Sequence, residues 1–376
     1  MNCCEKCFED KVLVKHIRAK GKRGKCEFCG ATRVKTVAAA SLGGVFQPLL
    51  ELFEPLEYGK HFDRDIGNPT SIGETLPDCI EWKMGWIVFN DSLSPETKSA
   101  LLDEIRSVDP RSGDQDGISS DELWAAPEDS FFHTSEEDIW FQFAESIKWK
   151  RRFIPDSQSG FMSDPKDWLP QFLHEIAFFT KPKDAYYRAR LGGVEEHYVV
   201  GAPHPASQMG APPKTRATAG RANPVGIPYL YVAEREMTAV AEIRPFLGGL
   251  VSVAAVKPRA DLQLVDLTKV SSIESPFKHA NLQMEMEKNA LLSILNRELS
   301  KPVNPALAEI EYVPTQYLAE VILNAGYDGI RYKSAMHSGG FNVVFFDQEK
   351  LAIEDKTKLV KVTANKLEYT EAVGED

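Results

Sequence analysis

Two pairs of cysteines near the N-terminus place the strongest constraint on how this chain can fold. The pairs are Cys4 with Cys7 and Cys26 with Cys29, and eighteen residues separate them. Each pair has the spacing of a metal-binding knuckle, and the spacer is long enough to return the second pair to the first. The pattern predicts one structural Zn2+, since four thiolates leave no position open for chemistry. Two disulfides or free thiols are the alternative, although a cytoplasmic chain keeps its thiols reduced.

The segment that holds these cysteines is basic, whereas the rest of the chain is acidic. Residues 1–35 contain ten Lys or Arg against four acidic residues, a local charge of +6. The total is −11, which leaves −17 on the remaining chain. A basic head on an acidic body indicates that the head is where nucleic acid or an acidic partner would bind. We interpret the basic residues between the two cysteine pairs as a solvated, charge-rich hairpin, with a nucleic-acid contact as the alternative.

Length and composition indicate an ordinary globular protein with more than one domain. The chain has 376 residues, of which 43% are hydrophobic and 26% charged, enough for two or three domains. No apolar run approaches the roughly 18 residues that a membrane span needs. Cys3, Cys4, Glu5 and Lys6 stand where a signal peptide would have its apolar core. We therefore expect a cytoplasmic protein with no membrane partner.

The middle of the chain, residues 37–182, has helical patterns. Ser94 followed by Pro95 is a helix start, with the capping residue directly before a proline at the first helical position. Trp168, Phe172 and Ile176 recur every four residues, which predicts an apolar helix face. We interpret this region as a mostly helical domain whose apolar stripes form a core.

After residue 183 the pattern changes to short strands, loops and three helical segments. Apolar or β-branched runs bounded by turn residues predict strands, and the 282–299 segment predicts an amphipathic helix. The predicted strands are 185–190, 229–233, 250–256, 262–267, a run between the Gly-Tyr-Asp-Gly turn and the loop that bears Ser334, and 342–346. The whole chain is therefore expected to be α+β.

The stretch from Gly220 to Glu242 combines three groups that suit chemistry. Its turn dipeptides, its apolar run and the helix-forming residues that follow predict a loop, a strand and a helix. In that order it offers the guanidinium of Arg221, the phenol of Tyr231 and the carboxylate of Glu242. These groups can bind an anion, stack on a ring and stabilise positive charge, which is typical of a site rather than a core.

Residues 185–347 resemble the RES domain, a family of NAD-degrading toxins whose fold is similar to diphtheria-toxin-type ADP-ribosyltransferases. The family is named for an Arg, a Glu and a Ser, which match Arg221 and Glu242 in GR…LYVA…TAVAE and Ser334 in DGIRYKS. Tyr231 stands at the family's usual place for a site tyrosine, and Arg188 in YYRAR matches an earlier strand arginine. Thr315–Gln316 and Asn342 also stand at familiar positions. Ala222 departs from the Trp or Phe that often follows the Gly-Arg.

The resemblance implies a protein that cleaves the nicotinamide–ribose bond of NAD+, as a glycohydrolase or a phosphorylase, within a toxin–antitoxin or defence system. It implies catalytic roles for Arg221, Tyr231, Glu242 and Ser334, and NAD+ contacts from Arg188, Arg221, Tyr231 and Asn342. An antitoxin is the implied protein partner. An ADP-ribosyltransferase acting on a macromolecule is one alternative, and a zinc-ribbon binding module with an inactive RES domain is another.

Each of these residues also has an ordinary structural interpretation. Glu242 could be a solvated helix acid, Tyr231 a core ring, Ser334 a turn former and the arginines surface ion-pair partners. The predicted domains are a four-cysteine zinc ribbon at 1–36, a helical domain at 37–182 and a catalytic domain with a mixed β core at 184–365. The first two resemble the N-terminal region of HEPN-associated RES proteins.

Overall fold

A computed structural model describes residues 1–55, 74–107, 119–126, 136–154, 164–196, 199–269 and 273–364. By its internal contacts the chain divides into two compact units. The first contains residues 1–135 and 271–289, and the second contains residues 136–270 and 290–376. Within the described ranges no helix is both long and apolar enough to cross a membrane.

The first unit has a small antiparallel sheet followed by short helices. Its sheet has the strand order β1-β3-β2, so β2 is an edge strand. A second pair of two-residue strands, β4 and β5, lies further along the chain. The elements are β1 Asn2–Cys4, α1 Lys11–Lys20, β2 Lys22–Lys25, β3 Thr32–Ala38, α2 Gly43–Leu50, β4 Glu54–Pro55, α3 Leu76–Asp78, α4 Pro95–Arg106 and β5 Trp124–Ala125.

Capping residues and apolar faces explain the two longest helices of this unit. The Asp10 carboxylate accepts from the backbone N–H groups of Val12 and Leu13, which satisfies free donors at the start of α1. The Ser94 hydroxyl does the same for α4, accepting from the Thr97 N–H, which confirms the predicted helix start. The buried faces of both helices belong to one apolar core with Phe46 and Phe89.

The second unit is built on a mixed sheet of nine strands among the described residues. Eight follow the order β15-β11-β7-β10-β14-β13-β12-β6, and β16 also pairs with β11. Every pairing is antiparallel except that of β12 with β13. The strands are β6 Ala177–Thr180, β7 Tyr186–Leu191, β10 Leu230–Ala233, β11 Leu250–Pro258, β12 Leu262–Asp266, β13 Gly329–Lys333, β14 Phe341–Phe345, β15 Leu351–Ile353 and β16 Lys358–Lys361. A separate hairpin comprises β8 Val194–Glu196 and β9 Val199–Ala202.

Helices pack on this sheet and supply most of its core. α6 and α10 contact each other, and each contacts the sheet. Trp168, Phe172 and Ile176 are buried on α6, so the predicted apolar stripe is confirmed. The helices are α5 Glu136–Trp149, α6 Pro165–Ile176, α7 Glu236–Glu242, α8 Leu282–Ser300, α9 Ala308–Glu311 and α10 Val313–Asn324. Of α8, only residues 290–300 belong to this unit, and residues 282–289 belong to the first. Burying each large apolar side chain stabilises the fold by about 1.5–3 kcal/mol, and this gain drives the packing.

The observed elements confirm the predicted α+β class and all six predicted strands to within a few residues. The two contact-based units differ from the three predicted domains in two places. α5, α6 and β6 group with the C-terminal sheet, because β6 pairs with β12 and α6 packs against α10. Residues 271–289 group with the N-terminal part of the chain. The three-domain division stays a prediction.

Candidate active site

The predicted loop, strand and helix around residues 220–242 are present and bring Glu242 to the sheet. β10 pairs with both β7 and β14, and α7 begins three residues after β10 ends. Glu242 is the last residue of α7, and its Oε1 accepts from Ser334 Oγ at 2.6 Å and from Asn342 Nδ2 at 2.7 Å. Oε2 makes no hydrogen bond within the described part of the chain. The carboxylate is therefore oriented through one oxygen and keeps the other available.

Ser334 organises the loop between β13 and β14 as well as the carboxylate. Its hydroxyl accepts from the backbone N–H groups of Met336 and His337 while it donates to Glu242. The loop is also joined to α7 by a 2.7 Å hydrogen bond between His337 Nδ1 and the buried Thr238 hydroxyl. Ser334 is thus a turn former and a carboxylate partner at once.

Tyr231 holds the loop that carries Arg221. Its hydroxyl donates to Asn223 Oδ1 at 2.8 Å and accepts from the Ala222 N–H at 2.9 Å. Burial raises the pKa of Tyr231, so the phenol stays neutral at physiological pH. A Cβ on Gly220 would lie 2.7 Å from this hydroxyl, so only glycine permits the close approach. The ring of Tyr231 is half-buried and packs against the apolar core of the second unit.

The backbone and guanidinium of Arg221 are both held by neighbouring groups. The Thr315 hydroxyl donates to the Arg221 carbonyl, and Gln316 Nε2 donates to the Gly220 carbonyl at 3.0 Å. Nη1 donates to the backbone carbonyls of Leu299 and Lys301 at the end of α8. A cation near a helix C-terminus is stabilised by the helix dipole. Arg221 is therefore a fixed charge, with Nε and Nη2 free of hydrogen bonds to the residues that the structure describes.

Arg188 lies on β7, beside the strand that carries Tyr231. Its Nη1 donates to the Tyr231 carbonyl at 2.8 Å. Burial, with a smaller contribution from Arg190, lowers the pKa of Arg188 to about 10. The guanidinium thus remains cationic at neutral pH, and its side chain is half-buried. Neither this arginine nor Arg221 forms an ion pair with the described residues, so both positive charges remain available to an anion.

These side chains line one cavity of about 360 Å³ in the second unit. Five of the six predicted residues line it, namely Arg188, Arg221, Tyr231, Glu242 and Asn342. Ser334 does not line the cavity but donates to the carboxylate that does. The volume lies within the range of small-molecule sites, about 300–1,000 Å³. Two guanidinium groups, one carboxylate and several rings can hold an anionic, ring-bearing ligand and stabilise a developing positive charge.

A family model matches residues 186–369 of this chain, and its description is the RES domain. The chain contains a RES domain. Among solved structures, the chain is similar to the M. tuberculosis MbcT–MbcA toxin–antitoxin complex, at 14% identity over 52% of this chain and 92% of that chain. The TM-score is 0.29, so this likeness carries no argument about fold or function. No curated protein matches the chain.

Three tyrosines in the cavity of the RES domain were missed by the sequence prediction. Tyr187, Tyr312 and Tyr332 line it beside the predicted residues. Burial raises the pKa of Tyr332, and its hydroxyl makes no hydrogen bond with described residues. The signal for Tyr332 was present in the DGIRYKS run, because residues two apart on a strand share a face and Tyr332 stands two before Ser334. Tyr312 had no such signal.

Outside the RES domain, the four predicted cysteines form one cluster in the first unit. Their sulfurs all lie within 4.8 Å of one another, and the measured Sγ–Sγ distances include 3.4 Å for Cys7–Cys26, 3.5 Å for Cys4–Cys29 and 4.0 Å for Cys4–Cys7. Four sulfurs at 2.3 Å from a tetrahedral Zn2+ would be about 3.8 Å apart. The hydrogen bonds that Cys26 shares with Cys4 and Cys7 lower the pKa of Cys26 and raise the pKa of the other two thiols. The cluster could hold a metal ion.

Proposed function

We propose that the RES domain cleaves the nicotinamide–ribose bond of NAD+ and that the chain is a toxin restrained by an antitoxin. The observation that carries the proposal is how the two carboxylate oxygens of Glu242 are hydrogen-bonded. One oxygen is held by Ser334 and Asn342, and the other is free beside two unpaired arginines. The match of residues 186–369 to the RES-domain family model supports the choice of NAD+ as substrate.

The chemistry of this bond matches the groups present. When the C–N bond breaks, its electron pair goes to the nicotinamide nitrogen, which loses its positive charge and leaves as a neutral ring. The ribose C1′ is left with oxocarbenium character, so a carboxylate beside it stabilises the transition state. The attacking oxygen of water or phosphate then bonds to C1′, and water loses a proton.

In this proposal each side chain has a distinct task. Glu242 faces the ribose, while Arg188 and the free edge of Arg221 hold the pyrophosphate, for which planar guanidinium groups are suited. Tyr231 fixes the Arg221 loop and offers its ring to the ligand. Ser334 and Asn342 orient the carboxylate, so that little reorganisation is needed as charge develops.

We further propose that Cys4, Cys7, Cys26 and Cys29 hold one structural Zn2+. The four-sulfur geometry supports zinc, which prefers tetrahedral thiolate sites and would have no open position here. Reduced thiols in such a cluster agree with a cytoplasmic location.

The decisive experiment incubates the purified full chain with NAD+, with and without phosphate, and identifies the products. Free nicotinamide with ADP-ribose indicates a glycohydrolase, and phosphorylated ADP-ribose indicates a phosphorylase. Nicotinamide release that needs an added lysate, with ADP-ribose attached to a macromolecule, indicates a transferase. No nicotinamide under any condition would leave a zinc-ribbon binding module with an inactive RES domain.

A further inference from the structure

A second concave surface lies on the small sheet of the first unit, far in sequence from the RES domain. It is a cleft of about 530 Å³ beside the edge strand β2. Four of its lining residues are basic, Lys20, Lys22, Arg23 and Lys25. Of the described residues that line it, none is acidic. The cleft therefore concentrates the positive charge that the sequence assigns to the head.

Local structure explains why these four charges converge. Lys20 ends α1, and the chain turns at Gly21, where a Cβ would lie 2.6 Å from the Ile17 carbonyl oxygen and 3.0 Å from that of Thr36. This tight turn brings Lys20 close to the start of β2. The pairing of β2 with β3 then shifts register between Gly24 and Lys25, and such bulges re-aim side chains.

The charges in this cleft are not neutralised by the protein. All four side chains are exposed and form no ion pair with the described residues. Lys35 differs, since its Nζ donates to the Gly21 carbonyl at 3.0 Å. One Zn2+ with four thiolates would contribute −2, which leaves the head at about +4. Four unpaired cations around one cleft attract a ligand with several negative charges.

We propose that this cleft binds the phosphate backbone of nucleic acid. An acidic protein would carry negative charge as nucleic acid does. Protein interfaces, however, depend on buried aromatic or large apolar anchors. The only apolar side chains lining this cleft in the described chain are Val37 and Ala38. Phosphate binding needs no such anchor, because counterion release drives it. The lack of a lining aromatic ring also indicates contact with phosphates rather than stacked bases.

The test measures binding of a labelled 20-base-pair duplex to the zinc-loaded full chain by fluorescence anisotropy at several salt concentrations. Four phosphate contacts predict a slope of log affinity against log salt of about −3.6, with micromolar affinity at low salt. The variant Lys20→Gln/Lys22→Gln/Lys25→Gln should reduce the slope to about −0.9. The matched control is Lys11→Gln/Lys15→Gln/Arg18→Gln, which removes equal charge from exposed positions of α1 that do not line the cleft.

The salt-dependence slopes of the two variants show whether the cleft residues bind the duplex. A reduced slope in the cleft variant with an unchanged slope in the control supports the site. Equally reduced slopes in both variants would indicate only a general attraction between the basic head and DNA, and would refute the site. The absence of saturable binding at low salt would also refute it. An oligo-glutamate peptide that binds as tightly as the duplex would overturn it in favour of an acidic protein. Because NAD+ turnover is not measured, these outcomes do not depend on the proposed enzymatic activity.

Discussion

Replacing Glu242 by Gln tests the proposed mechanism most directly, because it removes the charge and keeps the shape. The amide oxygen of Gln can still accept hydrogen bonds from Ser334 and Asn342. In the parent protein Ser334 Oγ lies 2.6 Å and Asn342 Nδ2 lies 2.7 Å from Oε1 of Glu242. Both hydrogen bonds change from charge-assisted to neutral, and each loses roughly half its strength. We expect the free energy of unfolding to fall by only about 1–2 kcal/mol, so the variant should remain folded.

The effect on rate should be much larger than the effect on stability. Loss of a preorganised group that stabilises transition-state charge costs about 3–4 kcal/mol, roughly a hundred- to a thousandfold in kcat. The dissociation constant of NAD+ should change by less than roughly threefold, since the ribosyl charge develops mainly in the transition state. The rate of nicotinamide release measures kcat, and calorimetric titration with NAD+ measures the dissociation constant.

The same helix offers a matched control. Glu236 begins α7, and its carboxylate accepts from Lys358 Nζ at 2.8 Å on the surface. Such exposed pairs contribute about 0–1 kcal/mol, so Glu236→Gln should turn over NAD+ like the parent. If Glu242→Gln is equally active, Glu242 has no part in the mechanism. If only KM changes, the carboxylate binds substrate and transition state alike.

Three further predictions concern the loop, its arginine and the cysteine cluster. Arg221→Ala should raise KM by roughly tenfold or more, as well as lower kcat, because a charged contact to pyrophosphate is lost; steady-state kinetics against Arg221→Lys measures this. Gly220→Ala should lower the free energy of unfolding by about 1–3 kcal/mol, measured by thermal unfolding, since its Cβ would lie against Asn223 Oδ1 and 2.7 Å from the Tyr231 hydroxyl. Elemental analysis should find about one zinc per chain, lost in Cys26→Ser/Cys29→Ser; zinc-free parent protein after zinc-replete purification would contradict this.

Local patterns in the sequence were sufficient for the elements that carry the candidate site. The strand β10 and the helix α7 were predicted from an apolar run followed by helix-forming residues, and both are present. Each pattern depends on residues close together in the chain, where propensity and alternation act. The cysteine cluster was predicted for a similar reason, because two short knuckles leave few arrangements for four thiols.

Other features depend on contacts between distant residues, which no local pattern contains. The hydrogen bonds from Arg221 to the end of α8 join positions about 80 residues apart, and those from Asn342 and Ser334 to Glu242 span 100 and 92 residues. The grouping of 271–289 with the N-terminal unit is of the same kind. Pairing of strands in a mixed sheet produces such contacts, and their geometry follows from register rather than from any one segment.

The sequence by itself determined which groups are present and on which element each lies. It placed a guanidinium on a loop, a phenol on a strand and a carboxylate on a helix, since these elements follow from turn residues and short-range periodicity. Only the tertiary structure decided what each group contacts. It holds one oxygen of Glu242 and leaves the other free, and it turns part of Arg221 towards helix carbonyls. It also adds Tyr332 to the cavity. Side-chain partners depend on the packing of separate elements, which is established only when the whole chain folds.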